Sequence, residues 1–333
     1  MNISQQDLTI DNILNFTSVE FSEIFSNIFN DFYDEKIIEN FLINLNLCNL
    51  PINCFIGSIN ALKKEMIAID TGFNCLDVCG TGGDKLNTLN ISTAVSFILA
   101  SAGIHVAKHG NKSISSNSGS ADIFQELNIK FSDNISEIKM NLSKNKLAFL
   151  YAPYFHPALK KLSAIRKKIN QPTIFNFLGP LLNPTNSKLQ LLGTSRFDTM
   201  EKIAQVIALD RDNHVFIVHG FDNMDEISLS SKSYLQEVKN GEIFEKIIID
   251  PVEFNFKLVN HDQIKGFDPK YNAQKLVDLL DGEKSAYRDI VILNSAYGLL
   301  LANQVNNILD GVKLAEFLID NNHAKLVLKS LQK

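Results

Sequence analysis

The chain has 333 residues, of which 45% are hydrophobic and 21% are charged, and its formal net charge at pH 7 is −5. A chain of this length and apolar content can bury a large core and is expected to form two domains. The negative net charge argues against a dedicated nucleic-acid binder, which usually has a basic face. No apolar run reaches membrane-spanning length and the N-terminus lacks a signal-peptide pattern, so a cytoplasmic location is expected.

Residues 1–70 are rich in Phe, Ile, Leu and Asn, and their apolar residues recur at helical spacing. One predicted helical face consists of Val19, Ile24, Phe25, Ile28 and Phe29. A second consists of Ile37, Ile38, Phe41, Leu42 and Leu45. Pro51 and Gly57 are the early residues that disfavour a continuous helix. The segment is therefore predicted to form several short helices that pack together.

From residue 76 onward, short apolar strands alternate with helices. The predicted strands are residues 75–78, 104–107, 148–151, 189–192 and 215–218, and the predicted helices are residues 199–209, 272–280 and 312–331. This alternation indicates an α/β fold with a mostly parallel central sheet and helices on both faces. Residues 227–256 alternate in β fashion around the turn Lys239-Asn240-Gly241, which predicts an antiparallel edge.

Two polar, glycine-rich loops follow neighbouring predicted strands. The first is Gly-Thr-Gly-Gly-Asp at residues 80–84, and the second spans residues 108–120. Glycine lets backbone N–H groups approach an anion, and a following helix N-terminus adds a positive dipole. Between the loops, Asn90-Ile91-Ser92-Thr93 predicts a helix start, whose polar side chains either cap the helix or contact a phosphate or metal. Neither loop has dinucleotide or P-loop spacing, but together they predict a ligand with phosphates at both ends.

These motifs resemble those of the anthranilate phosphoribosyltransferases, which share a fold with the pyrimidine nucleoside phosphorylases. The blocks GTGGD, NIST, KHGN and SxSGSAD occur in the family's order and spacing. Further blocks agree at residues 152–158 followed by Arg166, at residues 173–184, and at His219-Gly220 followed by Asp225-Glu226. The resemblance is highly specific from about residue 76 to residue 229.

The resemblance implies a small N-terminal helical domain and a large α/β domain. The helical domain is expected at residues 1–70, with a helical contribution from about residues 160–185, and the α/β domain at residues 71–333. A homodimer formed through the helical domain is also implied. Small-molecule substrates are expected, with neither nucleic acid nor membrane as a partner.

The implied reaction transfers the phosphoribosyl group of phosphoribosyl pyrophosphate to the amine of anthranilate, with Mg²⁺, in tryptophan biosynthesis. The products are N-(5-phosphoribosyl)anthranilate and pyrophosphate. The residues implied for the phosphoribosyl donor are Gly80, Gly83, Asp84, Thr88, Asn90, Ile91, Ser92, Thr93, Lys108, His109, Gly110, Asn111, Lys112, Ser113, Ile114, Ser115, Ser116 and Ser120. Those implied for anthranilate are Gly80, Asn111 and Arg166, with His156 and Pro180 as further candidates. The implied metal ligands are Ser92, Asp225 and Glu226.

Several of these residues also have a purely structural interpretation. Lys108 would then be a surface lysine before a turn, and Arg166 a surface arginine at a basic helix end. Asp225-Glu226 would be a solvated acidic turn, although the upstream phosphate loops favour a metal pair. His109 is a candidate for a catalytic role. For both His109 and His156, the sequence leaves open whether the side chain assists the reaction or is structural.

The turn before the acidic pair departs from the family pattern. The family has a glycine at a position where this chain has Asn223, next to Met224. Because asparagine tolerates left-handed backbone geometry, the turn is expected to persist.

Two alternative functions stay open at this point. One is a pyrimidine nucleoside phosphorylase-like enzyme, and the other is a nucleic-acid-binding relative that has lost the activity. The intact loops and the acidic pair favour the transferase. The sequence has no obvious Ser-His-Asp triad, Cys-His pair or HExxH motif, which agrees with catalysis by positioning and electrostatic stabilisation.

Overall fold

The computed structural model describes all residues except 1, 2, 5, 6, 9, 46–49, 114–116, 170, 172 and 333. The α-helices are α1 (Ile10–Ile13), α2 (Ser18–Phe29), α3 (Glu35–Asn44), α4 (Ile52–Glu65), α5 (Ile91–Ser101), α6 (Ser120–Glu126), α7 (Ile135–Asn145), α8 (Ala152–Phe155), α9 (Pro157–Lys161), α10 (Ser163–Ile169), α11 (Phe175–Leu178), α12 (Phe197–Ile207), α13 (Pro269–Leu280), α14 (Ala286–Leu301), α15 (Ile308–Asp320) and α16 (His323–Leu331). The strands are β1 (Leu76–Gly80), β2 (Val106–Gly110), β3 (Leu147–Tyr151), β4 (Leu189–Gly193), β5 (His214–Gly220), β6 (Ser233–Lys239), β7 (Glu242–Ile243) and β8 (Ile247–Ile249). Short 3₁₀ helices lie at Gly179–Leu181, Pro251–Phe254 and His261–Ile264.

The chain divides into two compact units. One contains residues 1–68 and 153–184, and the other contains residues 69–152 and 185–333. The domain boundaries predicted from the sequence stay predictions. Within the described part of the chain, no helix is both long and apolar enough to cross a membrane.

The smaller unit is a set of short helices packed around aromatic side chains. The ring of Phe25 on α2 lies 5.9 Å from the ring of Phe41 on α3 and 5.9 Å from that of Phe175 on α11. Val19, predicted on the same buried face, is 74% exposed, because it is rotated about 200° around the helix from the buried Phe21. Gly57 does not break a helix: it lies inside α4, where a Cβ would lie 2.3 Å from that of Phe21.

The larger unit contains the predicted α/β sheet. Its strands have the order β3-β2-β1-β4-β5-β6-β7, with β8 also paired to β6. The first five strands in this order run parallel to one another, and β6 runs antiparallel to β5, as predicted. Asn240 and Gly241 connect β6 to β7 with φ angles of 56° and 80°, which are typical of a two-residue hairpin turn.

Two largely buried helices, α5 and α14, contribute to the core beside the sheet. The predicted helix at residues 312–331 is instead two helices, α15 and α16. They are separated at Asn321 and Asn322, and Asn322 has a left-handed φ of 63°. Asparagine adopts this conformation more readily than most residues, so the helical periodicity does not continue through the break.

Candidate active site

The two glycine-rich loops and the acidic pair follow strands that end at the same edge of the sheet. The first loop follows β1, the second follows β2, and the acidic pair follows β5. Because β1, β2, β4 and β5 are parallel, their carboxyl ends meet at one edge, where ligands bind in α/β sheets. The structure thus collects groups that are about 140 residues apart in the sequence.

The first loop is held by its backbone against β4 and the acidic pair. The N–H of Thr81 donates to the carbonyl of Gly193 at 2.9 Å, and the N–H of Gly82 donates to Oδ2 of Asp225 at 2.6 Å. A Cβ on Gly193 would lie 1.5 Å from the backbone oxygen of Asp225, so only glycine permits this approach. The loop and the acidic pair are therefore parts of one packed arrangement.

Three carboxylates form a cluster at this edge. Ligand oxygens of Asp84, Asp225 and Glu226 all lie within 4.8 Å of one another. The Oε2 atom of Glu226 is buried and has no hydrogen-bond partner. Asp84, predicted to contact the donor, thus also joins the acidic pair.

Burial and mutual repulsion disfavour the charged forms of this cluster. Burial, with the nearby charge of Asp225, raises the pKa of Asp84 to about 7. Burial also raises the pKa of Asp225, against the opposing hydrogen bond from Gly82. The pKa of Glu226 is raised well above its ordinary value by burial and then by the charges of Asp225 and Asp84. A bound cation would relieve this repulsion.

Lys108 is buried beside the cluster, and its side chain is only 2% exposed. Its Nζ donates to the carbonyl of Val78 at 2.7 Å and to Oγ of Ser92 at 3.1 Å. Burial lowers the pKa of Lys108, while the negative charges of neighbouring groups, among them Asp77 and Glu226, oppose that shift. The alternative of a surface lysine before a turn is therefore wrong.

Helix α5 begins as predicted, directly after Asn90, but the Asn90 side chain does not cap it. Its Nδ2 donates to the carbonyl of Ser118 at 3.2 Å, and its Oδ1 accepts from Nδ2 of Asn272 at 3.0 Å. Asn90 thus connects the helix start with the second loop and with the N-terminal part of α13. Of the neighbouring predicted residues, Ile91 places its side chain in the hydrophobic core, and Thr93 is fully buried.

The second loop is fastened at both ends. Oδ2 of Asp122 accepts from the N–H of Ser113 at 3.1 Å and from that of Gly119 at 2.9 Å. The carbonyl of Asn111 accepts from the N–H of Ala121 at 3.1 Å. Ile114, Ser115 and Ser116, which were predicted to contact the donor, lie outside the described residues.

Other predicted donor residues lie around this loop and the segment before α5. His109 is buried, and its backbone N–H donates to Oδ1 of Asp77 at 3.2 Å. Asn111 and Lys112 are exposed, and the Ser120 hydroxyl lies 3.5 Å from the carbonyl of Asn111. Thr88 pairs with Lys265 in an isolated bridge.

The remaining anthranilate candidates belong to the smaller unit. Arg166 on α10 is half-buried, and its Cζ lies 5.5 Å from the ring centroid of Phe175. By contrast, the nearby Lys168 is exposed and forms an ion pair with Glu35. Pro180 is buried in the 3₁₀ helix Gly179–Leu181. The surface-arginine interpretation of Arg166 therefore fits the structure less well than it fits the sequence.

Comparison with known proteins places this geometry in a family. Residues 72–325 match the glycosyl transferase family, a/b domain. An anthranilate phosphoribosyltransferase from Bacillus cereus is 39% identical over 303 residues, which are 90% of this chain and 89% of that protein. The chain belongs to the anthranilate phosphoribosyltransferase family.

Solved structures of this family have the same fold. The anthranilate phosphoribosyltransferase of Thermus thermophilus superposes with a TM-score of 0.89 at 26% identity, covering 100% of this chain and 98% of that chain. The enzyme of Saccharomyces cerevisiae in complex with phosphoribosyl pyrophosphate and Mg superposes with a TM-score of 0.84 at 26% identity, covering 98% and 92%. Residues well outside the specific motifs therefore also follow the fold of the anthranilate phosphoribosyltransferase family.

Sequence reasoning missed several residues that hydrogen-bond to the predicted ones or to their neighbours in the chain: Asp77, Asp122, Asn272 and Asn294. Two of them carried a local signal, because Asp77 interrupts an apolar strand and Asp122 ends the family block SGSAD. Asn272 and Asn294 carried none, since each lies in a C-terminal helix far along the chain. Asn223 was predicted correctly: its φ is 67°, and the turn before the acidic pair persists.

Acid stability offers a test of the environment of His156. His156 is 3% exposed, and burial lowers its pKa to about 4, although a hydrogen bond with the Leu182 backbone favours the charged form. Because the unfolded-state pKa is about 6.5, the unfolded chain binds more protons between pH 6.5 and 4, and stability falls as pH falls through this window. As the pH falls through this window, we expect the free energy of unfolding to decrease by about 2–3 kcal/mol more in the wild type than in His156→Gln.

Denaturant unfolding of both proteins at pH 7, 5.5 and 4.5 would measure this difference. His323→Gln serves as the control, because His323 is an exposed histidine at the start of α16. Parallel stability curves for the wild type and His156→Gln would contradict the assignment of a buried neutral imidazole.

Proposed function

We propose that this chain joins the anthranilate amine to the phosphoribosyl carbon of phosphoribosyl pyrophosphate, in tryptophan biosynthesis. The carbon–nitrogen bond forms, the carbon–oxygen bond to pyrophosphate breaks, and the amine releases a proton to the solvent. The observation that carries the proposal is the cluster of Asp84, Asp225 and Glu226 beside Lys108, at the sheet edge where both glycine-rich loops begin. A yeast relative in the same family has been solved with the same phosphoribosyl donor and Mg.

The proposed donor site combines backbone N–H groups with one buried cation. Both loops begin at this sheet edge, and the start of α5 adds the positive end of a helix dipole. Lys108 supplies a positive charge whose position is restricted by its hydrogen bonds to Val78 and Ser92. Hydrogen-bond donors and charges that are fixed in this way stabilise negative charge without having to reorganise during the reaction.

The oxygen ligands available at the acidic cluster fit Mg²⁺. Mg²⁺ prefers oxygen ligands and is usually held by one or two carboxylates together with substrate phosphates. Asp225, Glu226 and the Ser92 hydroxyl are the proposed ligands, and Asp84 is close enough to add a fourth oxygen. The buried, unpartnered Oε2 of Glu226 is a free acceptor for a cation. When bound, Mg²⁺ would neutralise charge on the leaving pyrophosphate.

The anthranilate amine needs no strong base, because it already carries a lone pair. The residues proposed for anthranilate therefore bind and orient it. Arg166 would pair with the carboxylate, since a guanidinium group matches a carboxylate with two parallel hydrogen bonds. Asn111, Gly80, Pro180 and the two histidines stay predicted contributors. Catalysis then rests on positioning and electrostatic stabilisation.

Loss of anthranilate fluorescence on addition of phosphoribosyl pyrophosphate and Mg²⁺ tests the proposed reaction directly. The signal should fall only when donor, cation and protein are all present. Phosphorolysis of thymidine or uridine would indicate the phosphorylase alternative instead. A DNA gel shift at physiological salt would indicate the nucleic-acid-binding alternative. The relatives described above support neither alternative.

The predicted homodimer and cytoplasmic location belong to the same proposal. Analytical ultracentrifugation of the full chain would measure the first, and a sedimentation coefficient of a 37.3 kDa monomer at micromolar concentration would contradict it. Fractionation of the source cells would measure the second.

Arg166→Ala is expected to raise the KM for anthranilate about 10- to 100-fold, because charge-assisted hydrogen bonds contribute about 1.5–3 kcal/mol. The KM for the phosphoribosyl donor should change much less. Steady-state kinetics with each substrate varied in turn would measure both values.

Lys167→Ala is the matched control, since Lys167 is the exposed neighbour on the same helix. With aniline, which lacks the carboxylate, wild type and Arg166→Ala should behave alike. Equal losses toward both substrates would assign Arg166 a structural role.

A further inference from the structure

Helix α14 contacts the proposed metal site from a part of the chain outside the motif blocks named above. Its side chains are buried almost throughout its length. Asn294 lies near its middle and is 2% exposed. It lines a small cavity together with Cys79, Ser92, Asp225 and Glu226. A buried polar side chain at such a place requires hydrogen-bond partners.

The partners of Asn294 are backbone groups next to the acidic pair. Its Oδ1 accepts from the N–H of Ile227 at 3.0 Å, and its Nδ2 donates to the carbonyl of Ile227 at 2.9 Å. The same Nδ2 also donates to the carbonyl of Ile290, one turn earlier in α14, at 2.9 Å. The amide is thus fixed in its own helix and holds both polar groups of Ile227.

Ile227 directly follows Glu226, so this contact restrains the backbone on one side of the acidic pair. On the other side, Asp225 accepts from Gly82 and packs against Gly193 of β4. The Oε2 atom of Glu226 has no hydrogen-bond partner, and the Glu226 side chain hydrogen-bonds to that of the preceding residue, Asp225. Its position therefore depends on the backbone of residues 225–227, which Asn294 restrains.

We propose that Asn294 is a positioning residue that holds Glu226 in place to receive the divalent cation. The proposal rests on the proposed function, in which Asp225 and Glu226 bind Mg²⁺. It adds a role for a residue of the C-terminal region, which would act through the backbone of Ile227 and would not contact the cation or the substrates.

Calorimetric titration of phosphoribosyl pyrophosphate, with Mg²⁺ and separately with EDTA, tests this role without turnover, since anthranilate is left out. The variants are Asn294→Ala, which removes all three hydrogen bonds, and Asn294→Asp, which keeps an acceptor for the Ile227 N–H. Ser295→Ala is the matched control, because Ser295 is the next residue of α14, fully buried, with a hydroxyl that has no partner.

We expect Mg²⁺ to increase the affinity of the wild type and of Ser295→Ala for phosphoribosyl pyrophosphate. In both Asn294 variants, this Mg²⁺-dependent increase in affinity should be at least tenfold smaller. Donor affinity in EDTA should stay within twofold of the wild type. The proposal would be overturned if the Asn294 variants lost the same affinity for phosphoribosyl pyrophosphate with and without Mg²⁺, or if they lost none. Failure of both variants to fold would also overturn it, since it would give Asn294 a purely structural role.

The wild type separates this proposal from the one on which it rests. If Mg²⁺ does not strengthen donor binding by the wild type, the metal site itself is wrong and both proposals fail. If Mg²⁺ acts on the wild type and equally on the Asn294 variants, the metal site stands and only the role of Asn294 is refuted.

Discussion

Replacement of Asp225 by Asn together with Glu226 by Gln is expected to lower kcat/KM by about 10³-fold or more, since oriented charge stabilisation contributes on that scale. The substitutions remove two ionisable carboxyl groups from a cluster of three whose oxygens lie within 4.8 Å. Because burial raises the pKa of each, the charged cluster is unfavourable without a cation. The double variant should therefore be at least as stable as the wild type in EDTA.

The combination of lost activity with retained or increased stability is what distinguishes a metal site from a structural acidic turn. Activity should be measured by anthranilate fluorescence across a range of Mg²⁺ concentrations, and stability by thermal melting in EDTA. Asp212→Asn with Glu245→Gln is the control, since both residues are exposed. Near wild-type activity of the double variant at limiting Mg²⁺ would refute the metal assignment.

Lys108→Met is expected to weaken binding of phosphoribosyl pyrophosphate about 10- to 100-fold, because it removes a buried charge-assisted donor worth about 1.5–3 kcal/mol. Anthranilate binding should be less affected. From the sequence alone, the change would cost no stability. The structure indicates otherwise: Val78 would lose its 2.7 Å donor and the charge near Asp77 would disappear. We expect a loss of about 1–3 kcal/mol in the free energy of unfolding.

Thermal melts with and without phosphoribosyl pyrophosphate separate the two effects. Saturating donor should raise the Tm of the wild type, and the same donor concentration should raise the Tm of Lys108→Met clearly less. Lys130→Met provides the control, because Lys130 is exposed and outside both loops. An equal ligand-induced shift in wild type and variant would remove Lys108 from the donor site.

Local features of this protein were predictable because neighbouring residues determine them. Short apolar runs between helical segments predicted the five parallel strands, and Asn240-Gly241 predicted the hairpin. Asn223 predicted the left-handed turn before Asp225, since asparagine adopts that conformation at low cost. The two loops were expected to bind one ligand because they follow neighbouring predicted strands.

Only the tertiary structure decided which groups are buried together. Val19 was misplaced because it is rotated about 200° around the helix from the buried Phe21, and the helical periodicity did not show the break at Asn322. Lys108 precedes a loop in the sequence, yet strand pairing buries it between β1 and the start of α5.

Asp84 joins Asp225 and Glu226 across about 140 residues, and Asn294 reaches Ile227 across 67. Such contacts depend on how whole elements pack, because the hydrogen bonds and the burial that define them come from residues that are not neighbours in the chain. The sequence therefore determined which chemical groups this protein carries, and the packing of the sheet and α14 determined which of them meet.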